Sequence, residues 1–600
     1  MSTNLSQQKR AELLSKIDAI RAYIAAAPQD ENTGNLLSYL GDLTKELSGA
    51  RYGLIFEEHR EAIDDVLETN TPVLTEDAAR FIDRGGEVNF LLEGDNLAAL
   101  QLLRKTHTGR IDLIYIDPPY NTGHRDFIYD DSFVDANDTF RHSKWLSFMS
   151  KRLTLAKDLL SERGAIFISI DDHECAALKL LCDSIFDESC FVADIAWQRT
   201  YSTRNDSKGI PVEIEHLLVY SKESNWNPNL LPRTENMDSK YKNPDHDIAL
   251  WRTDNAYAAD AATHQGMVYA IQHPFTGKML YPANGLHWRY KQSDMLEIMR
   301  GWCNYELRDL HDAKKRAAVC GISVEDVRQD VLGIVLSESL EVSKTKAEAV
   351  YKRGQWPKYF FTRGGYGGIA KKTYLDTAKG KLPSNFWPYS EAGHTDKAKK
   401  EISQIFGDTT AFPTPKPVRL IDRIITIASQ PDSIILDFFA GSGTTGHAVL
   451  AYNAAHTGSR RRFILCTNNE NNICQNVTYE RIRRVIESEG YPASLKYQVI
   501  EYIPINELLY YEYADELLRH VRELVELENS VNFTRNAEIA IILTDEELAD
   551  FIADTELFSQ CRTLYLGHDV ITDEEQENLL QAHEIQVRII PDYYYRELEE

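Results

Sequence analysis

Twice in this chain a short apolar run stops at a turn that leaves the backbone little choice. Ile111–Ile116 ends in Asp117-Pro118-Pro119-Tyr120, and Ser433–Phe438 passes into Phe439-Ala440-Gly441-Ser442-Gly443-Thr444-Thr445. Two consecutive prolines fix φ and carry no N–H, so the first turn is rigid and presents bare carbonyls. Two glycines within three residues let a ligand approach the second turn closely, where a starting helix offers free N–H groups. Apolar runs that alternate with helix-like stretches argue for an α/β fold with a parallel sheet covered on both faces.

That alternation organises the chain. Residues 1–85 read as helical, with Leu13, Leu14, Ile17, Ile20 and Ile24 at three- and four-residue spacing and a similar stretch over Ile55–Leu67. Residues 86–222 supply strands at Val88–Leu92, Ile111–Ile116, Ala165–Ile170, Phe191–Trp197 and Glu215–Ser221, with helices at Leu97–Lys105 and Lys144–Leu160. Over 223–385 the regularity breaks into Asn, Pro, Gly, Lys and aromatic residues, which reads as an inserted domain. The α/β pattern resumes over 386–500, with helices at Pro417–Ser429 and Thr444–Ala454 and strands at Ser433–Phe438 and Arg462–Thr467. A small α/β region closes the chain over 501–600, with strands near Ala537–Leu543, Thr563–Leu566 and Ile585–Ile590.

Charge sharpens the division. The 600 residues carry a net −26, but 501–600 alone hold 25 acidic and 6 basic side chains. Tyr351–Lys400 runs the other way, with 11 Lys/Arg against 3 Asp/Glu. An acidic end repels phosphates and is expected to face a protein partner, whereas a basic middle suits a polyanion. Within it Lys352, Arg353, Lys358, Arg363, Lys371, Lys372, Lys379 and Lys381 interleave with Trp356, Tyr359, Phe360 and Phe361. Phosphate contact plus stacking on bases is one reading, and a solvated face over an aromatic core is the other. The eight cysteines form no CxxC pair, no apolar run reaches membrane-span length, and the first ten residues are not signal-like. A cytoplasmic chain with neither zinc motif nor disulfide framework is expected.

The two turns carry the chemistry. The Asp117 carboxylate and the Pro118 carbonyl can both accept hydrogen bonds from one exocyclic NH2 group, and Tyr120 offers a flat face to a planar base. A Pro-Pro turn capping a strand is the plain alternative. At the second turn no GKS/T follows and GxGxxG is not met, which sets aside a phosphate loop and weakens a dinucleotide site. Glu470 lies just past the next strand, where an acid can hold two ribose hydroxyls. Asp171-Asp172-His173-Glu174 has a metal-like composition but reads as loop or pocket wall, and no metal is expected.

DPPY together with FxGSGTT resembles the DNA amino-methyltransferases that use S-adenosylmethionine. DPPY ahead of the glycine motif, with a long insert between, is similar to their beta-class order. The resemblance implies a circularly permuted, Rossmann-like methyltransferase sheet. An inserted target-recognition domain, an N-terminal helical arm and a small C-terminal α/β domain would complete it. It implies catalysis by Asp117, Pro118, Pro119 and Tyr120 on N6 of an adenine flipped from double-stranded DNA. S-adenosylmethionine would be held by Asp95, Lys416, Asp437, Phe439, Gly441, Ser442, Gly443, Thr444 and Glu470. Here Pro413-Thr414-Pro415-Lys416-Pro417 resembles the family's lysine–proline motif and Gly94-Asp95 a further cofactor contact.

More narrowly, Leu92–Leu97, Ile114–Gly123, Arg141–Trp145 and the tail Ile590–Tyr595 resemble the modification (Mod) subunit of type III restriction–modification systems. That implies a homodimer, a restriction (Res) subunit as partner, and DNA contact through the eight basic residues. A polar Cys466-Thr467-Asn468-Asn469 before Glu470 departs from the family pattern and puts the ribose role of Glu470 in question. An orphan or type II-like adenine or cytosine-N4 methyltransferase and a non-catalytic recognition subunit are the alternatives.

Overall fold

The computed structural model describes residues 5–26, 33–48, 56–123, 128–129, 132–133, 138–202, 209–407, 412–505, 510–534 and 536–591. They form two compact units, Met1–Asn229 with Ser384–Glu600, and Leu230–Pro383.

The first unit is built on a sheet of ten strands. In chain order these are β1 (Asn70–Glu76), β2 (Glu87–Glu93), β3 (Ile111–Ile116), β4 (Leu160–Ile170), β5 (Phe191–Gln198), β6 (Ile214–Ser221), β7 (Phe386–Trp387), β8 (Ile434–Asp437), β9 (Arg462–Thr467) and β10 (Ala493–Pro504). Across the sheet they run β1-β10-β2-β9-β8-β3-β4-β6-β5-β7. From β10 to β4 all neighbours are parallel. Every residue of β3 is buried, as a strand covered on both faces requires. The chain leaves β3 towards β4 on one side and β8 towards β9 on the other. A crevice therefore opens between the C-terminal ends of β3 and β8, the usual place for a ligand in such sheets.

The parallel expectation fails at β6, which lies antiparallel to both β4 and β5. β5 and β6, joined through residues 199–213, pair as antiparallel neighbours. The reversal brings the start of β6 and the end of β5 to the crevice edge of the sheet.

Helices close the faces for local reasons. The Asp95 carboxylate accepts the Leu97 N–H at 2.7 Å and caps Asn96–His107, whose last turn holds Arg104 and Lys105 against the helix dipole. Arg141–Leu159 packs on it, burying Trp145, Met149 and Leu153. At the N-terminus, helices Leu5–Ala26 and Thr33–Ser48 pack together through Ile17 and Leu40, while Leu13 and Ile20 stay exposed. The stretch expected to be helical over Ile55–Leu67 is helical over Ala62–Thr69, and Ile55 lies outside the described residues.

The acidic end contributes a parallel three-stranded sheet, Ile539–Ile542, Thr563–Leu566 and Gln586–Ile589. It shares the main core through Tyr565 and Ile590, and Lys496 of β10 is buried against Glu526 at 2.7 Å and Glu76 at 2.9 Å. Of the tail motif, Asp592–Tyr595 lie outside the described residues.

The unit Leu230–Pro383 has a four-stranded and a three-stranded sheet around an aromatic core that includes Trp251, Trp288, Trp302, Tyr359 and Phe361. Residues just before it belong to the first unit, where Trp226 donates to the Arg163 carbonyl and the Asn229 N–H to that of Ile427. Among the described residues, no helix is long and apolar enough to cross a membrane.

Candidate active site

A cavity of about 790 Å³ occupies the crevice at the ends of β3 and β8. Asp117, Pro118, Pro119 and Tyr120 form one wall, and Phe439, Gly441 and Glu470 line the cavity from the glycine-turn side. Asp95 and Lys416 also face it. The DPPY backbone is fixed from behind, where the buried Trp145 indole donates to the Pro119 carbonyl at 2.7 Å. Asn121 takes a positive φ of 56° and is fully buried; its amide donates to the Arg141 carbonyl and to Glu174, which also pairs with His142 at 2.6 Å.

Asp117 is not alone. Lys416 reaches both its oxygens, at 2.6 and 2.7 Å, and the Tyr120 hydroxyl donates to Asp117 Oδ1 at 2.9 Å. Tyr120 also reaches Glu215 Oε2 at 3.2 Å, and Arg199 donates to Glu215 Oε1 at 2.7 Å. Lys416 Nζ stands 3.7 Å from Glu215, so two acids and two bases form one nearly buried network. Burial pushes the Asp117 carboxyl above its usual range, and Lys416 offsets only part of that. Burial disfavours the Lys416 ammonium, but Asp117 and Glu215 together outweigh it and hold its charge.

Lys416, expected beside the cofactor, lines the cavity and places its ammonium on Asp117, while its carbonyl accepts from Thr444 of the glycine turn at 3.2 Å. The Tyr120 hydroxyl is tied into the acid network, so its ring is a braced wall with the Lys416 ammonium 5.1 Å from its centre.

The glycine turn is built by Asp437. Its carboxylate accepts the Phe439 N–H at 3.0 Å and the Thr445 hydroxyl at 2.5 Å, closing strand onto helix. Burial pushes this carboxyl up to about 7, against the pull of those two hydrogen bonds. Gly441 and Gly443 have φ of 47° and 73°, where a side chain is strained. Asp437, Ser442, Gly443 and Thr444 do not line the cavity and act behind it. The buried Arg481 guanidinium holds Ser442 and Thr444, donating to the Ser442 carbonyl at 3.2 Å and to Thr444 Oγ1 at 2.7 Å.

Sequence reasoning missed Glu215, Arg199 and Arg481. The one available signal was an acid at the head of the apolar strand Glu215–Ser221, a residue type that is buried only when paired.

In the 230–383 unit the basic residues divide. Lys352 and Arg353 end the helix Leu340–Arg353 exposed; Lys358, Arg363 and Lys379 are also exposed, and Lys371 and Lys381 are half-buried. Lys372 is the correction. It is fully buried, with Asp245 and Asp247 at 2.5 Å and the Trp356 carbonyl at 2.7 Å, so it cannot reach a phosphate. Tyr359, Phe360 and Phe361 are core, and Trp356 stacks on Tyr351 at 4.5 Å, so these rings build the domain rather than a platform for bases.

Asp171–Glu174 disperses. Asp171 pairs with His173 and lines the cavity, Glu174 holds Asn121, and Asp172 reaches His216 at 3.1 Å.

A family model described as "DNA methylase" matches residues 111–477. The chain is 33% identical over 408 residues to the type III restriction-modification enzyme StyLTI Mod subunit of Salmonella typhimurium, covering 63% of this chain and 52% of that one. It is 32% identical over 382 residues to the type II methyltransferase M.KpnI of Klebsiella pneumoniae, covering 62% and 79%. The type III EcoP15I Mod subunit of Escherichia coli is 28% identical over 61% of this chain and 56% of its own. This chain thus spans about half the length of the Mod subunits it matches. Among solved structures, PvuII DNA methyltransferase (cytosine-N4-specific) aligns at a TM-score of 0.31 and 12% identity, covering 69% of this chain and 96% of that one.

Proposed function

The chain belongs to the DNA methylase family, and on that premise we propose that it transfers a methyl group from S-adenosylmethionine to N6 of adenine in double-stranded DNA. One observation carries the reading: the Asp117-Pro118-Pro119-Tyr120 turn and the Gly441 turn end neighbouring strands and face one cavity.

The cavity fits the donor. Glu470 offers a carboxylate for a ribose diol, Ile473 and Phe439 offer apolar walls for a purine, and Gly441 leaves room at the turn, where an added Cβ would come within 3.3 Å of Phe412. Asp95 and Asn96 add polar groups on the same side. When bound, S-adenosylmethionine supplies an electrophilic methyl group.

The chain's own residues do the rest. Adenine N6 is a poor nucleophile because its lone pair is delocalised into the ring. Hydrogen bonds accepted by Asp117 and the Pro118 carbonyl hold the nitrogen in a more tetrahedral form and aim its lone pair, and such positioning supplies much of the rate. Because Lys416 occupies both Asp117 oxygens, it must give way as the amino group arrives, and Glu215 at 3.7 Å is the acid that can receive it. Asp117, raised by burial, is the nearest base for the proton that the methylated nitrogen sheds.

The relatives named as type III Mod subunits support a place in such a system, with a restriction subunit as partner; a second copy of this chain as dimer mate is part of the same proposal. The unit Leu230–Pro383 is the proposed target-recognition domain, and Lys352, Arg353, Lys358, Arg363, Lys371, Lys379 and Lys381 its phosphate contacts.

The test is modification-sensitive sequencing of DNA from a methylation-free host expressing the chain or its Asp117→Ala variant. N6-methyladenine at one short motif, on one strand and absent with the variant, is the expected result. Cytosine-N4 marks would overturn the adenine assignment, marks on both strands the type III placement, and undiminished marking by the variant the role of Asp117.

A further inference from the structure

Glu215 and His216 are consecutive in β6, and the pleat sends them to opposite faces of the sheet. Glu215 enters the catalytic cavity. His216 enters a second constellation that the methyl-transfer reading leaves unused. Its Nδ1 meets both Asp194 oxygens at 3.0 Å, and its Nε2 meets Asp172 Oδ1 at 3.1 Å. The Cys175 thiol lies beside the same histidine. One ligand atom each from Cys175, Asp194 and His216 lie within 4.8 Å of one another, the one such trio among the described residues.

We infer that Cys175, Asp194 and His216 form a binding site for a divalent transition metal, zinc(II) above all, with Asp172 as the carboxylate that orients the histidine.

The donor set selects the ion. A thiolate and an imidazole disfavour magnesium and calcium, which take oxygen, and suit zinc at bonds of ~2.0–2.3 Å. Three protein ligands leave a fourth position for water. Asp172, on the nitrogen away from Asp194, supplies the partner that fixes the tautomer of a metal-bound histidine and turns its ring. Cys175 is the first residue of the helix Cys175–Phe186. The ligands come from three elements: this helix, β5 and β6. Asp194 and His216 are diagonal neighbours on one face, since Ala196 is the residue opposite His216. The His216 side chain keeps 20% of its surface accessible, enough for an ion to enter.

The site bears on the catalytic wall. Residues 171–175 run from the cavity, which Asp171 lines, past Glu174 on Asn121, to Cys175 in the trio. An ion there ties this loop to the two strands that deliver Arg199 and Glu215.

The competing occupant is a proton, with His216 held as an imidazolium between two carboxylates. Full-length protein is equilibrated with zinc(II) or cobalt(II), freed of excess ion, and measured by elemental mass spectrometry and absorption. The site predicts one tightly held equivalent, and for cobalt a thiolate-to-metal charge-transfer band in the near ultraviolet. Cys175→Ser is expected to lose that band, His216→Asn to lose uptake, and Asp172→Asn to keep the band with affinity about 10–100-fold weaker. Circular dichroism and urea midpoints identify variants that fail to fold; if both ligand variants do, the wild-type stoichiometry and thiolate band decide alone. Wild-type protein that holds no metal, a cobalt spectrum without the thiolate band, or a folded His216→Asn that takes up metal normally would overturn the site.

Discussion

Asp117 and Asp437 sit at the ends of adjacent parallel strands, both drawn out of water, yet their surroundings divide their work. Asp437 is answered by a backbone N–H and a hydroxyl, so it joins strand to helix, while burial, with no cation on it among the described residues, lifts its carboxyl to about 7. Asp117 is answered by an ammonium and a phenol, and a quarter of its side chain remains open to the cavity. An acid paired with neutral donors becomes part of the frame. An acid paired with a cation that has a second acid within reach stays available for chemistry.

The contrast can be broken most directly at Asp117. Asp117→Ala is expected to slow single-turnover methyl transfer by about 10³-fold, with a urea midpoint near that of the wild type. A rate within a few-fold of normal would show that the open acid is not the working one.

Lys372 extends the contrast to a base. Lys372→Met strands Asp245 and Asp247 and should cost about 3 kcal/mol of unfolding free energy. A loss confined to DNA affinity, with the urea midpoint unmoved, would contradict its burial.

Asp437→Ala leaves the Phe439 N–H and the Thr445 hydroxyl without their acceptor and should cost about 2 kcal/mol at acid pH. Because its folded carboxyl titrates near 7 instead of 3.8, Asp437 stabilises the fold fully below about pH 4 and progressively less up to about 7. The gap between variant and wild type, followed by urea unfolding from pH 4 to 8, should therefore narrow as pH rises. A constant gap would mean that the carboxyl ionises as it does in water.

Lys416 sharpens the comparison. Lys416 holds the Asp117 carboxyl down against burial, so in Lys416→Met the acid-side loss of kcat/KM should begin at higher pH. An unmoved acid limb would place Lys416 away from Asp117 in the working enzyme. The smallest effect belongs to Lys379→Gln, expected to lower the salt slope of DNA binding by about 1. A slope equal to the wild type's would remove Lys379 from the interface.

The sequence displayed the two strand-ends because the prolines at 118 and 119 and the glycines at 441 and 443 punctuate mostly apolar, fully buried runs. It placed residues by motif but not by partner. Asp437 and Thr444 belong to the glycine motif, yet they brace it from behind: Asp437 through the Thr445 hydroxyl, Thr444 through Arg481 from a helix further along the chain. Glu215 and Arg199 were hidden because only the reversal of β6 brings them to the crevice. Lys372 looked like its neighbour Lys371, since the two aspartates that bury it lie about 125 residues earlier. The trio at Cys175 was equally invisible, its members scattered over two strands and a helix start.

The pleat of β6 carries a lesson about which length changes this protein can absorb. Trp197 faces Glu215 and Ala196 faces His216 across the antiparallel pair. The connection over 199–213 can lengthen or shorten at modest cost, because loop closure changes slowly with length. Within the strand, parity is strict. One inserted residue before Glu215, absorbed by a slip of the strand, would put the inserted residue at the cavity and the acid beside Asp194. Two inserted residues would restore both faces. Length variation in related chains should therefore gather in the connection, and inside the strand it should come in pairs.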